Sequence, residues 1–213
     1  MERTGALKRL LAEFVRPNDC VFDVGANIGS WTEILLTLGA RVVAFEPLPE
    51  CAREISAQNN PRLTVVNKAV GREPGVAALH LHEETIRSSI LPVWEGHRST
   101  SSITVEVTTL DQAIKDFGMP HYCKIDVEGL EPEVLAGLSS PLSNLSFEYH
   151  RNDGGIDRLE LCLSTISRLA NYSVRFTRGE DAKLIGPWTP AGQFLPTAPD
   201  LHWWGDIFAK RVN

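Results

Sequence analysis

The chain lacks most of the features that mark a specialised protein. No apolar run approaches the roughly 18 to 20 residues needed to cross a bilayer. Met1 to Arg16 mixes Glu2 and Glu13 among its leucines, so it has no signal-peptide core. These two absences point away from membrane insertion and secretion, and a cytoplasmic location is expected. Cysteine is sparse: Cys20, Cys51, Cys123 and Cys162 are far apart, never form C-x-x-C, and each lies in an apolar or amphipathic stretch. Buried, reduced thiols are expected rather than a disulfide framework or a zinc site. Basic charge is also in deficit, with 21 Lys and Arg against 27 Asp and Glu, a net of −6. Such a surface repels phosphate backbones, so no nucleic-acid partner is expected. There is no internal repeat and no low-complexity tract.

The remainder is an ordinary globular composition: 213 residues, 43% apolar and 23% charged, with a mean hydropathy of −0.11. At roughly 100 to 200 residues per domain, one domain spanning residues 1–213 is expected. Leu7, Leu10, Leu11 and Phe14 sit at helical spacing within an N-terminal helix over residues 1–16, which Pro17-Asn18-Asp19 ends. The apolar run Cys20 to Val24 breaks into Gly25-Ala26-Asn27-Ile28-Gly29 and resumes with helical period from Trp31. A second buried strand, Arg41 to Glu46, precedes a helix opened by Pro47 and Pro49, and Leu63 to Asn67 gives a third strand. Strands alternating with helices over short connections imply an α/β fold with a doubly wound, mostly parallel sheet.

The pattern changes over residues 76–108, where Val76 to His82 and Ile103 to Thr108 alternate apolar and polar residues. A small β insertion of two neighbouring, half-exposed strands is expected there. Alternation then returns with helix Leu110 to Phe117, strand His121 to Val127, a short helix after Pro132 and strand Leu145 to Tyr149. Helix Ile156 to Ala170, strand Tyr172 to Thr177 and a last strand Asp206 to Arg211 follow. Residues 186–204 are Pro-rich and read as an irregular surface loop.

Chemistry concentrates where strands end. The turn Asp23 to Gly29 lets backbone approach a ligand and offers free amides at a helix start, although tight packing alone also explains such glycines. Its spacing departs from G-x-G-x-x-G, because position 27 is Asn and position 30 is Ser, which disfavours a pyrophosphate cradle. No G-x-x-x-x-G-K-[ST] follows, which excludes a nucleoside-triphosphate phosphate loop. Glu46, with Pro47 after it, ends the second strand, where an acid accepts hydrogen bonds from a ribose diol; a solvent-facing glutamate is the alternative. Asn67, Lys68 and Ala69 reach the same sheet edge, beside Glu46, or simply form a turn. Asp126 and Glu128 follow the fourth core strand. A carboxylate at the end of a parallel strand is costly unless it faces the ligand crevice. Glu148 and His150 end the fifth strand, and His150 is open to two readings, a base near neutral pH or a loop histidine.

Other candidates carry less. His80 and His82 share one strand face with no third ligand nearby, and no sufficient metal-ligand set is found, so no metal is expected. Trp203 and Trp204 fit either an acceptor pocket or core-edge packing. Ser88 and Ser89 lie within the insertion.

Taken together, Asp23-Val24-Gly25-Ala26-Asn27-Ile28-Gly29, Phe45-Glu46-Pro47, Asn67-Lys68-Ala69-Val70-Gly71, Ser88-Ser89-Ile90, Thr109-Leu110-Asp111 and Lys124-Ile125-Asp126-Val127-Glu128-Gly129 resemble FkbM-family methyltransferases over about residues 19 to 150. The resemblance implies an S-adenosylmethionine-dependent transferase on a Rossmann-like, seven-stranded class I methyltransferase sheet whose last strand is antiparallel. It implies that the methionine end of the cofactor lies over Asp23, Gly25, Ala26, Asn27 and Gly29. The ribose falls on Glu46 beside Pro47, the adenine near Asn67, Lys68 and Ala69, and Asp126 near the methionyl end or the methyl group; Ser89 is a further cofactor candidate. O-methylation of a sugar or other polyhydroxylated small molecule is expected, with His150 or Glu128 as base beside Asp126. Recognition of the acceptor is left to residues 83–102 and 186–204. An NAD-dependent oxidoreductase and a non-catalytic adenosyl-binding domain are the competing functions, and assembly as a homodimer is left open.

Overall fold

The computed structural model of the chain describes residues 2–81, 93–94, 97–98, 101–151, 154–198 and 201–212. Thirteen strands are described: β1 (Cys20–Val24), β2 (Arg41–Phe45), β3 (Leu63–Val66), β4 (Ala69–Val70), β5 (Gly75–Leu81), β6 (Val93–Trp94), β7 (His97–Arg98), β8 (Ser101–Thr108), β9 (Tyr122–Ile125), β10 (Asn144–His150), β11 (Tyr172–Phe176), β12 (Ile185–Pro190) and β13 (Trp204–Arg211). The helices are α1 (Glu2–Leu11), α2 (Ser30–Thr37), α3 (Pro49–Ser56), α4 (Leu110–Phe117), α5 (Glu131–Ala136), α6 (Gly155–Leu169) and α7 (Phe194–Thr197).

Eight strands form the main sheet in the order β12-β11-β13-β10-β9-β1-β2-β3. Neighbours from β3 to β10 pair in parallel, while β13 runs antiparallel between β10 and β11. β1 is buried along its whole length, as a central parallel strand must be. Phe22 and Val24 face a core shared with Leu110, Val134, Leu135, Leu163 and Ile166 on α4, α5 and α6. Val21 faces the opposite core, with Leu10 and Leu11 of α1, Leu35 of α2 and Ile55 of α3. Apolar residues at consecutive strand positions therefore serve two helix layers, which is the doubly wound arrangement. Helix starts follow their local chemistry. Thr109 caps α4 by accepting a hydrogen bond from the Gln112 amide at 3.1 Å, and Pro49 begins α3 where no amide partner is needed.

The sheet differs from the seven-stranded expectation by one member. Residues 186–204 are not wholly irregular: β12 pairs antiparallel with β11, and a 3-10 turn at Ala191–Gln193 and α7 follow. An outermost strand tolerates Pro187 and Pro190, because its outward side has no partner for the missing amides. The described part of the insertion holds the expected antiparallel pair, with the two-residue strands β6 and β7 in addition. β5 and β8 pair antiparallel from Gly75–Val107 to Leu81–Ser101, with β4 beside β8, and the apolar face packs Leu79 and Val105 onto Leu48 and Cys51. All four cysteines are buried and unbridged. No helix among the described residues is long and apolar enough to cross a membrane.

Candidate active site

The carboxyl ends of β2, β1, β9 and β10 lie side by side, and the chain order reverses between β1 and β9. A crevice forms at such a switch point. A cavity of about 480 Å³ opens there, walled by the turns after β1 and β2, by Lys68 to Val70, and by Lys124 and Asp126 to Glu128.

The turn after β1 is held by its backbone. Gly25 (φ 74°), Asn27 (φ 52°) and Gly29 (φ 88°) all adopt left-handed conformations. The Gly25 and Ala26 amides both donate to the Phe45 carbonyl at 3.0 Å. A Cβ at Gly25 would lie 1.8 Å from the Asp126 carbonyl oxygen, so only glycine fits between the two loops.

Glu46 joins this turn to the next. Its Oε2 accepts from the Asn27 amide and its Oε1 from the Leu48 amide, each at 2.8 Å. Burial pushes its carboxyl above the ordinary value, and those two amides oppose the rise. A carboxylate offers about four acceptor positions, so capacity remains for two more donors. Asn67 acts behind the wall: its side-chain amide donates to the Glu46 carbonyl at 2.8 Å and the Pro47 carbonyl at 3.0 Å. Asp23 is likewise withdrawn from the cavity, fully buried and hydrogen-bonded by Thr32 Oγ1 at 2.6 Å. Gly29 also lies outside the wall, whereas Gly25, Ala26, Asn27, Glu46, Pro47, Lys68, Ala69, Asp126 and Glu128 line it. Ser89 and His82 lie outside the described residues.

A second wall is built from charged side chains on one sheet face. Register pairs Asp23 with Lys124, Lys124 with Ser146, and Glu148 with Asp206. Because every second residue shares a face, Lys124, Asp126, Ser146, Glu148 and His150 project together with Asp206. Lys124 Nζ donates to the Gly25 carbonyl at 2.7 Å and sits 3.4 Å from both Asp23 Oδ1 and Asp126 Oδ2. Burial opposes the charge on Lys124, but the Asp126 and Asp23 carboxylates outweigh it and hold its pKa above the usual lysine value.

Beyond β9 the chain turns through Glu128 (φ 55°) and Gly129 (φ 95°), fixed by Glu131. The Val127 and Gly129 amides donate to Glu131 Oε1 at 3.0 and 3.2 Å. Burial pushes the Glu131 carboxyl up to about 7, against the pull of those amides. Glu148, read in the sequence as the acid beside His150 at a strand end, was given no role there. Its Oε2 lies 3.0 Å from His150 Nε2, and burial, followed by the Asp126, Glu128, Glu131 and Asp206 carboxylates, raises its pKa well above the usual range. His150 is stacked on Trp204, with centroids 6.4 Å apart and planes at 15°, and lies 6.4 Å from Trp203. The readable signal was polar alternation in strands that should be apolar on both faces: Lys124, Asp126 and Glu128 in one, Ser146, Glu148 and His150 in the other.

A smaller chamber of about 130 Å³ adjoins the cavity and shares Trp31, Asp126 and Glu180 with it. Leu10 of α1, Glu148 of β10, Trp204 and Asp206 of β13 and the segment from Thr177 to Ala182 supply most of the rest of its lining. Acceptor recognition had been expected at residues 83–102 and 186–204. Of those, Trp204 lines the chamber, and residues 83–92 lie outside the described part.

A mostly parallel sheet with β13 running antiparallel, a glycine turn after β1 and an acid after β2 make a Rossmann-like α/β fold with its crevice at the switch point. Solved methyltransferases share this fold. A TehB-like S-adenosylmethionine-dependent methyltransferase from Corynebacterium glutamicum superposes with a TM-score of 0.54 at 11% identity, over 97% of this chain and 88% of that one. Precorrin-6y C5,15-methyltransferase from Geobacter metallireducens gives 0.52 at 11%, over 99% and 87%. SMU.1697c from Streptococcus mutans, solved in complex with SAH, gives 0.50 at 10%, over 96% and 95%. The sequence profile of the methyltransferase FkbM domain matches residues 23–174, and the chain belongs to this family. Hexuronic acid methyltransferase AglP of Haloferax volcanii is 28% identical over 180 residues, 81% of this chain and 72% of that protein.

The protein is therefore an S-adenosylmethionine-dependent methyltransferase, and the NAD-dependent alternative gains nothing from these matches. The cavity's chemistry fits the cofactor. Leu48, Cys51, Ala69 and Leu79 give an apolar wall for a purine, Glu46 a carboxylate for a diol, and Asp126 a carboxylate for an ammonium group.

Proposed function

We propose that this methyltransferase methylates a hydroxyl of a neutral sugar, or of a similar polyhydroxylated small molecule, held in the smaller chamber. The observation that carries the reading is that chamber itself, joined to the cofactor cavity at Trp31, Asp126 and Glu180. Its carboxylates are acceptors for sugar hydroxyls, and indole faces at Trp31 and Trp204 suit the C–H face of a pyranose ring. The acidic lining disfavours an anionic acceptor, as does the net charge of −6. Support for the sugar class also comes from the relative named for a hexuronic acid.

Within the cavity, Glu46 would hold the ribose hydroxyls, the turn from Gly25 to Asn27 would lie along the methionine end, and Asp126 would meet its ammonium group. When bound, the cofactor would supply a sulfonium methyl whose leaving group is a neutral thioether. The chain's own tasks are alignment, on the order of 7 to 11 kcal/mol in favourable cases, and removal of the acceptor proton. Glu128 of the cavity wall, Glu148 of the chamber wall and His150 beside Glu148 would form the deprotonating centre.

The test is to incubate purified protein and S-adenosylmethionine with neutral sugars, uronic acids and small alcohols, then follow methylated products by mass spectrometry. Methyl ethers of neutral sugars are expected. Exclusive methylation of uronic acids or of simple monohydroxy alcohols would reject the reading.

A further inference from the structure

We infer that Glu128, Glu148 and His150 bind one divalent transition-metal ion at the wall between the cofactor cavity and the smaller chamber. The three residues each offer a ligand atom, and these atoms lie within 4.8 Å of one another. Nitrogen and oxygen ligands sit about 2.0 to 2.2 Å from such an ion, which places ligand atoms up to roughly 4.4 Å apart. Small side-chain rotations therefore close the set without moving the backbone.

The supports are rigid. Glu148 and His150 are two positions apart on β10, on one face, and the His150 ring stacks on Trp204 with Trp203 beside it. Glu128 is fixed from behind, because Glu131 binds the amides on both sides of it. Glu128 lines the cofactor cavity and Glu148 lines the chamber, so an ion held by both sits between the two spaces.

A second observation points to a cation. Glu148 Oε2 is sealed from solvent and accepts no hydrogen bond among the described residues. A buried carboxylate oxygen is costly unless a charge or donor meets it. The competing arrangement is an imidazole–carboxylate pair, with a proton between His150 Nε2 and Glu148 Oε2 at 3.0 Å. Charge count favours the ion. The Asp126, Glu128, Glu131 and Asp206 carboxylates act on Glu148 through space, Lys124 is already shared by Asp23 and Asp126, and one imidazolium balances less of the remaining charge than a dication does. Two carboxylates with one imidazole suit manganese, iron or zinc better than the all-oxygen sites preferred by magnesium and calcium. An ion with open positions toward the chamber would bind acceptor oxygens and lower a hydroxyl's pKa. That role rests on the sugar reading; binding of the ion does not.

The experiment titrates Mn²⁺ into chelator-treated protein and follows the free-ion signal by electron paramagnetic resonance. Wild-type protein is expected to take up one equivalent. His150→Ala and Glu128→Gln should each weaken uptake at least about ten-fold, while Glu133→Gln, on an exposed residue paired with Arg72, should leave it unchanged. S-adenosylhomocysteine affinity, measured on every variant, establishes that each is folded. Absence of uptake by wild type, or uptake unaltered in both ligand variants, overturns the site and leaves His150 as a base paired with Glu148. Stoichiometric Mn²⁺ binding with no sugar methylated would reject the acceptor and keep the site.

Discussion

The wall after β1 and β2 is made of backbone, whereas the wall after β9 and β10 is made of charged side chains. In the first, the amides of Gly25, Ala26, Asn27 and Leu48 are all committed within two short stretches of sequence. In the second, Lys124, Asp126, Glu131, Glu148, His150 and Asp206 converge from several strands and loops. A backbone cradle depends on conformation and tolerates little drift. A charged wall depends on balance, so one substitution there shifts every neighbour's ionisation. The contrast suits the proposed division of labour, with the cofactor at the backbone wall and the acceptor at the charged one.

Lys124 belongs to both walls, and its loss should have the largest effect. Lys124→Met strands Asp23 and Asp126 without their cation and should cost about 3–5 kcal/mol of stability, read from urea denaturation. A loss below about 1 kcal/mol would mean that the two walls are electrically independent. Glu131→Gln comes next. Its folded pKa of about 7 exceeds the ordinary 4.5, so between those values the native state keeps a proton that the unfolded chain has released. Wild-type stability should therefore fall as pH rises from about 4.5 to about 7, by about 3 kcal/mol in all. Gln still accepts from the Val127 and Gly129 amides but carries no proton to lose, so the decline should vanish in denaturation midpoints taken across that range. An equal decline in the variant would place the titration elsewhere.

Two changes probe the backbone wall. Glu46→Ala should weaken S-adenosylhomocysteine binding by about 1–3 kcal/mol, roughly five- to 150-fold, in calorimetry. Unchanged affinity would remove the ribose role. Asn67→Ala should cost only about 1 kcal/mol of stability while sparing cofactor affinity, since its amide serves two carbonyls behind the wall. A large affinity loss with normal stability would return Asn67 to the binding surface.

The same contrast explains how much could be read in advance. The alternation of strands and helices, the antiparallel pair of the insertion, the glycine turn and the place of Glu46 at a strand end were legible because each is written in contiguous residues. The charged wall was only partly legible, since its members meet through strand register. β10 pairs with β9 so that Phe147 lies opposite Ile125, and only this offset sets Glu148 and His150 beside Asp126 and Glu128. Asp23 and Asn67 were placed correctly at the sheet edge, yet their side chains turn inward to Thr32 and to the carbonyls of Glu46 and Pro47. β12 was missed because its prolines mask a strand that sits outermost, where a missing amide costs little.

Gly25 also sets a tolerance. With hydrogen as the largest group that position admits, the two walls stand at the smallest clearance that polypeptide allows. A methyl group there would wedge them apart. For a displacement that needs three atoms in line, a gap of about 1 Å can cost on the order of a hundredfold in rate. Gly25→Ala would thus act as a spacer, opening the reaction distance while leaving every charged group of the site in the sequence.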